Sequence, residues 1–288
     1  GQRNAASFPV YLSGRNFGTD VRRNFIAKTS EEIIMTYIQL VKTELTKLRR
    51  SHIFWILLAP VILLWIPSFL NADINFEATG ISPENNFFIQ SYLGFTWFMF
   101  PASLVVCTVL LTQSERTNKG LQKMLSLPVN PQLFCLAKFT ILLLLAAFQL
   151  LLMGAAYFPT AMIVSHMQNY SMVLPVSLVL KESCLLYLSA IPMAALYWML
   201  AVCIHTPVFS IGAGLASIVP SMLLINTKVW FAYPVSYPIY TLMILRGTME
   251  NSFRSFVMDP IPWIPVSIGM TLVFLAVSCI TFGKYERR

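Results

Sequence analysis

Charge is what this 288-residue chain has least of, with Asp, Glu, Lys and Arg together making up 11% of it. Soluble domains carry about 25%, and the 57% hydrophobic content is gathered in long blocks rather than scattered. Such blocks exceed what a small globule can hide and read as membrane spans. Acidic residues are scarcer still: 12 stand against 20 Lys and Arg, for a net charge of +8. In a soluble protein that excess would raise nucleic acid as a partner. Here the cations gather in the short loops between apolar blocks, as membrane proteins place them, so no nucleic-acid role is read. The sequence has no G-x-x-x-x-G-K-[ST], so it does not cradle ATP phosphates in that way. Its five cysteines (Cys107, Cys135, Cys184, Cys203, Cys279) include no C-x-x-C, and only Cys203 has a nearby histidine. That residue, His205, is two positions on and points from a different face of a helix, so neither a metal site nor a disulfide framework is expected. They read as small apolar packing residues. His52, His166 and His205 fall at span ends or in loops, and no catalytic constellation is found.

What is present is an all-α polytopic pattern of six transmembrane helices. Residues 1–34 are polar and lack a signal-like apolar run; they are expected to be a tag, upstream read-through or a disordered extension, with Met35 as the natural initiator and the membrane domain covering 35–288. From Met35, Ile38, Val41, Leu45 and Leu48 recur at helical spacing, with Lys42, Glu44, Lys47, Arg49 and Arg50 on other faces. This predicts an amphipathic helix lying in the membrane interface and feeding the first span. Spans are expected over 53–70, 87–112, 133–158, 182–204, 208–225 and 262–282. Residues 159–180, broken by Pro159 and Pro175, read as an outer loop or partly inserted segment. The connection 226–261 is rich in aromatics and proline. Its apolar stretch 239–245 is too short to cross, which leaves a re-entrant helix on the outer face or a plain aromatic belt. The first loop holds Asp73, Glu77 and Glu84 and no cation, while the second holds Arg116, Lys119 and Lys123. The contrast predicts both termini on the cytoplasmic side.

The second loop is the informative one. Thr117 or Asn118 can cap a short helix, Leu121, Met124 and Leu125 share one face of it, and Pro128 ends it. Asn130 then caps the third span, with Pro131 at its first helical position. An exposed apolar face on a cytoplasmic loop seeks a partner groove or rests on the bilayer, and the physics alone leaves both open.

The run from Glu115 through Gly120, Leu127-Pro128 and Ala137-Lys138 resembles the coupling-helix region of type-2 ABC exporter (ABC-2) permeases. The amphipathic helix, six spans, aromatic segment before the last span and basic C-terminus agree with it over Met35–Arg288. Within that superfamily the chain is similar to the permeases of lantibiotic-immunity and bacitracin-type exporters. The resemblance implies a bacterial plasma-membrane permease that pairs with a second permease, identical or related, and with cytoplasmic ABC ATPase subunits holding ATP and Mg. No cofactor is expected in this chain. It also implies that Leu121, Met124, Leu125, Leu127 and Pro128 form the ATPase-facing helix, with Gly120 allowing close approach and Lys119 and Lys123 at its rim. Glu115 and Lys138, at the ends of neighbouring spans, are expected as membrane-edge charges, either paired or separately solvated. Gly212, Ala213, Gly214, Ala216 and Ser217 suit close helix packing, within one subunit or between two permeases. The cargo implied is amphipathic and lantibiotic-like. A lipid, polysaccharide or small drug, or a sensor or assembly role without transport, are the alternatives.

Overall fold

In the computed structural model, residues 34–48, 53–117, 131–249 and 263–285 are described. Among these residues there is no strand, and six helices are long and apolar enough to cross a membrane. Helix α1 covers 34–48. The first span is α2 (Ile53–Leu70). The second combines α3 (Pro83–Gly94), one π-helical segment (Phe95–Met99) and α4 (Phe100–Thr117). The third and fourth are α5 (Pro131–Gln168) and α6 (Val176–Cys203). The fifth is split into α7 (Pro207–Ala216) and α8 (Ile218–Leu224), a 13-residue helix α9 (Tyr237–Met249) follows, and α10 (Trp263–Tyr285) is the sixth span.

Two boundaries depart from the sequence reading for one reason. α5 continues through Pro159 for a further nine residues, and α6 begins immediately after Pro175. The segment read as an outer loop or inserted piece is therefore two helix ends joined by 169–175. A proline inside a long apolar helix removes one backbone bond, which neighbouring helices and hydroxyls can offset in a membrane bundle. The short connection is well tied. Asn169 takes a positive φ of 51°, the Tyr157 hydroxyl donates to the Met172 carbonyl at 2.9 Å, and the Leu174 N–H donates to that hydroxyl at 3.0 Å. Tyr170 donates to the Glu84 carboxylate at 2.7 Å, joining this connection to the start of α3. Losing that proton would break a charge-assisted bond, so the phenol is held above its ordinary pKa of 10.0.

α6 is the central helix, packed against α4, α5, α7, α9 and α10. Its small residues Ser189, Ala190, Ala194, Ala195 and Ala201 are buried, which lets neighbouring backbones approach closely. α2, the α7–α8 pair and α10 are peripheral and turn apolar faces outward, as lipid-facing helices do. Phe134 of α5 lies 5.8 Å from Phe282 of α10 in ring-centroid distance. That contact brings the start of the third span and the end of the sixth to one face of the bundle, the face where α1 docks.

The aromatic connection before the sixth span folds as a cluster of its own. Trp230 stacks on Tyr240 with ring centroids 3.7 Å apart and meets Tyr237 edge-on at 5.9 Å. Tyr233 donates to the Ser217 carbonyl at the break between α7 and α8, and Tyr237 donates to the Phe231 carbonyl. Ile239, Leu242 and Leu245 of α9 are buried. At 13 residues α9 is far short of the roughly 20 a crossing requires.

Candidate functional site at the base of the bundle

The short loop read as the ATPase-facing helix (Lys119, Gly120, Leu121, Lys123, Met124, Leu125, Leu127 and Pro128) lies outside the described residues. So does the Glu115 side chain, although its backbone is in α4. What the structure describes is the frame on either side of that loop: the end of α4, the start of α5, and α1 lying across them.

Glu44 locks this frame. Its carboxylate, 3% exposed, accepts from Lys138 Nζ at 2.6 Å and from Lys47 Nζ at 2.6 Å. Lys138 is fully buried, lies 4.8 Å from the centroid of the Phe134 ring, and also donates to the Leu111 carbonyl at 3.4 Å. One ammonium thus joins α1, α4 and α5. A second link runs alongside, a hydrogen bond between the hydroxyls of Tyr37 and Thr140. Burying a carboxylate and an ammonium costs several kcal/mol per ion, offset only when the geometry is close and further hydrogen bonds are made. Here both conditions hold, so the pair fixes orientation more than it adds stability.

The faces of α1 are thereby assigned. Tyr37, Val41, Glu44 and Leu48 recur at i, i+4, i+7 and i+11 and turn toward the bundle, whereas Ile38 and Leu45 are exposed. The sequence reading put Glu44 among the outward polar residues. That placement is corrected, because its partner Lys138 is 94 positions away. Lys138 is not a solvated charge at the membrane edge but a buried anchor. One signal in the sequence could have drawn attention to Glu44: it is the only acid between Met35 and Arg50, amid four cations.

The small-residue run on the fifth span divides. Gly214 is buried, and a Cβ built on it would sit 2.6 Å from Val105 of α4. It therefore serves packing within this chain. Gly212 and Ala216 face outward, with open space around Gly212, while Ala213 and Ser217 are half-buried. Deeper in the bundle Gln149, fully buried, donates to Ser103 at 2.8 Å, and Ser103 donates to the Met99 carbonyl at 2.7 Å at the end of the π-helical segment. The cysteines divide too: Cys107 and Cys135 are buried, and Cys184 and Cys203 are exposed on α6. No metal-binding cluster occurs among the described residues.

The described residues thus form a multi-pass helical bundle with α1 docked at its base and a 13-residue helix before the last span. The family model described as ABC-2 family transporter protein matches residues 40–221, more than half of the chain. The chain belongs to that family and is a membrane transport permease. The family is one of transport domains rather than ATPases, and its members usually work with ABC ATPase partners. No curated protein matches the chain.

Proposed function

We propose that this permease is the membrane half of a bacterial ATP-driven exporter that removes amphipathic, lantibiotic-like compounds from the plasma membrane. In this reading ABC ATPase subunits, carrying ATP and Mg, dock on the cytoplasmic loop between α4 and α5. A second permease, identical or related, completes the pathway. The observation that carries the reading is the frame around that loop in a chain of the ABC-2 family. Both helices flanking the loop are tied to α1 through Lys138, so a push on the loop moves three helices together. Both termini are then cytoplasmic, α1 lies in the inner interface with Ile38 and Leu45 toward lipid, and α9 is re-entrant from the outer face.

Leu121, Met124, Leu125 and Leu127 form the apolar contact in this account, with Lys119 and Lys123 at its rim. Amphipathic cargo suits a bundle whose spans contain few ionisable groups, since those groups mark proton and ion paths. The test is affinity purification of the complex from native membranes, comparing the natural chain with Leu125→Asp. Recovery of an ATPase with the natural chain and its loss with the variant is the expected result. Absence of any ATPase after gentle extraction of the natural chain would remove the exporter reading and leave the permease fold.

A further inference from the structure

At the face of the bundle opposite α1, an apolar groove of about 670 Å³ opens sideways between α6, α9 and α10. That volume is in the range of small-molecule sites, about 300–1,000 Å³. On α6 it runs from Lys181 to Pro192, which at about 1.5 Å per residue is roughly 16 Å. This is about half of a hydrocarbon core some 30 Å thick, the depth of one leaflet. Leu188, Ile268 and Leu272 stand more than half exposed along it, toward the bilayer.

The groove's polar groups differ in one respect. Ser189, Thr241, Thr248, Ser267 and Thr271 each donate to a carbonyl of their own helix, three or four residues back. Their outward surface is therefore effectively apolar. Glu182 is different: it is 6% exposed, it lines the groove, and no hydrogen bond or close ion pair holds it among the described residues, the charge that acts on it there being that of the adjacent Lys181. A carboxylate in an apolar wall with no hydrogen-bond donor on it is costly, and a cation or donor arriving with a ligand offsets that cost. Lys181, its neighbour, is exposed at the same end of the groove. The head of the site thus presents one anion and one cation above a wall one leaflet deep.

We infer that this groove binds a zwitterionic phospholipid, with Glu182 receiving the headgroup ammonium, Lys181 facing its phosphate, and an acyl chain lying between α6 and α10. A purely anionic lipid would satisfy Lys181 and leave Glu182 unpaired and repelled. A purely cationic amphipath would do the reverse. The site does not depend on the exporter reading, because it forms within one chain and requires no ATPase.

The experiment uses the full chain in nanodiscs containing photoactivatable phosphatidylethanolamine or phosphatidylglycerol with identical acyl chains, followed by mapping of the labelled residues. Labelling is expected on α6 and α10 near Leu188 and Ile268, with phosphatidylethanolamine favoured by about tenfold, the scale of one charge-assisted hydrogen bond. Glu182→Gln should abolish the preference while keeping the label, and Leu188→Trp should exclude both lipids. Equal labelling by the two lipids in the natural chain would overturn the inference, as would a preference that Glu182→Gln leaves unchanged. A benzophenone side chain at position 188 supplies an independent reading on a chain with Glu182 intact. Its crosslinking to phospholipid supports the site, whereas crosslinking to a second copy of the chain would make the groove a subunit contact and overturn it.

Discussion

Two buried carboxylates, at opposite ends of the bundle, meet opposite fates. Glu44 at the base is enclosed by two ammonium groups, while Glu182 at the far end lines an apolar groove with no hydrogen bond or close ion pair among the described residues. Both are almost wholly removed from solvent. Burial alone therefore does not assign a role to a charge in this permease. A charge held by close ion pairs joins helices, and one without them among the described residues is the candidate for a ligand.

The sharpest way to break the comparison is to remove Lys138. Lys138→Met leaves the Glu44 carboxylate with the half-exposed Lys47 as its only described ion-pair partner and should cost about 2–3 kcal/mol, read as a large fall in thermal stability of the solubilised protein. Pairing it with Glu44→Leu should recover most of that loss, since apolar replacement of a whole buried pair is often neutral. A double variant as unstable as Lys138→Met would show that the pair is not the source of the effect.

A smaller effect is expected at Gly214. Gly214→Ala puts a methyl group 2.6 Å from Val105, and overpacking of this kind costs about 1–3 kcal/mol. Val105→Ala in the same chain should relieve it, and failure of that relief would separate the glycine from the α4 contact. Next comes Tyr157→Phe, which removes the partner of both the Met172 carbonyl and the Leu174 N–H. Leaving those buried groups unmatched should cost about 1–3 kcal/mol, seen as lowered stability together with faster hydrogen exchange across 169–175.

The smallest effect on folding should come from Glu182→Gln, and this sharpens the comparison most. With no hydrogen-bond or close ion-pair partner to lose among the described residues, the variant should melt within about 0.5 kcal/mol of the natural chain or above it, in contrast to any single change in the Glu44–Lys138 pair. A destabilisation as large as that of Lys138→Met would mean that Glu182 also holds the fold together.

How far the sequence disclosed this arrangement follows from the range of each interaction. Apolar block length is a local property, so six spans and a short helix around 239–245 were legible, and the observed helices cover them. Span ends at prolines were not. Pro159 reads as a break by backbone chemistry, yet α5 passes through it because packing against neighbours outweighs one lost bond. The burial of Glu44 and of Lys138 depends on a contact across 94 residues, which no local periodicity encodes. Gly214 is singled out in the sequence only as one of five small residues suited to close packing, and its neighbour Val105 could be found only in three dimensions. Glu182 was legible only as the residue opening the fourth span. Its place in the groove wall is a property of three helix faces meeting, two of them from the last quarter of the chain. The loop expected to meet the ATPase rests on the resemblance and on the frame that surrounds it.

The most direct test of the exporter account is transport itself. Inverted vesicles containing the permease and its co-purified ATPase would be loaded externally with a fluorescent amphipathic peptide and followed after ATP addition. The account predicts ATP-dependent movement into the vesicle lumen that needs Mg, stops when ATP is replaced by a non-hydrolysable analogue, and is lost in Leu125→Asp. Equal peptide distribution with and without ATP, in vesicles where the bound ATPase is active, would contradict it.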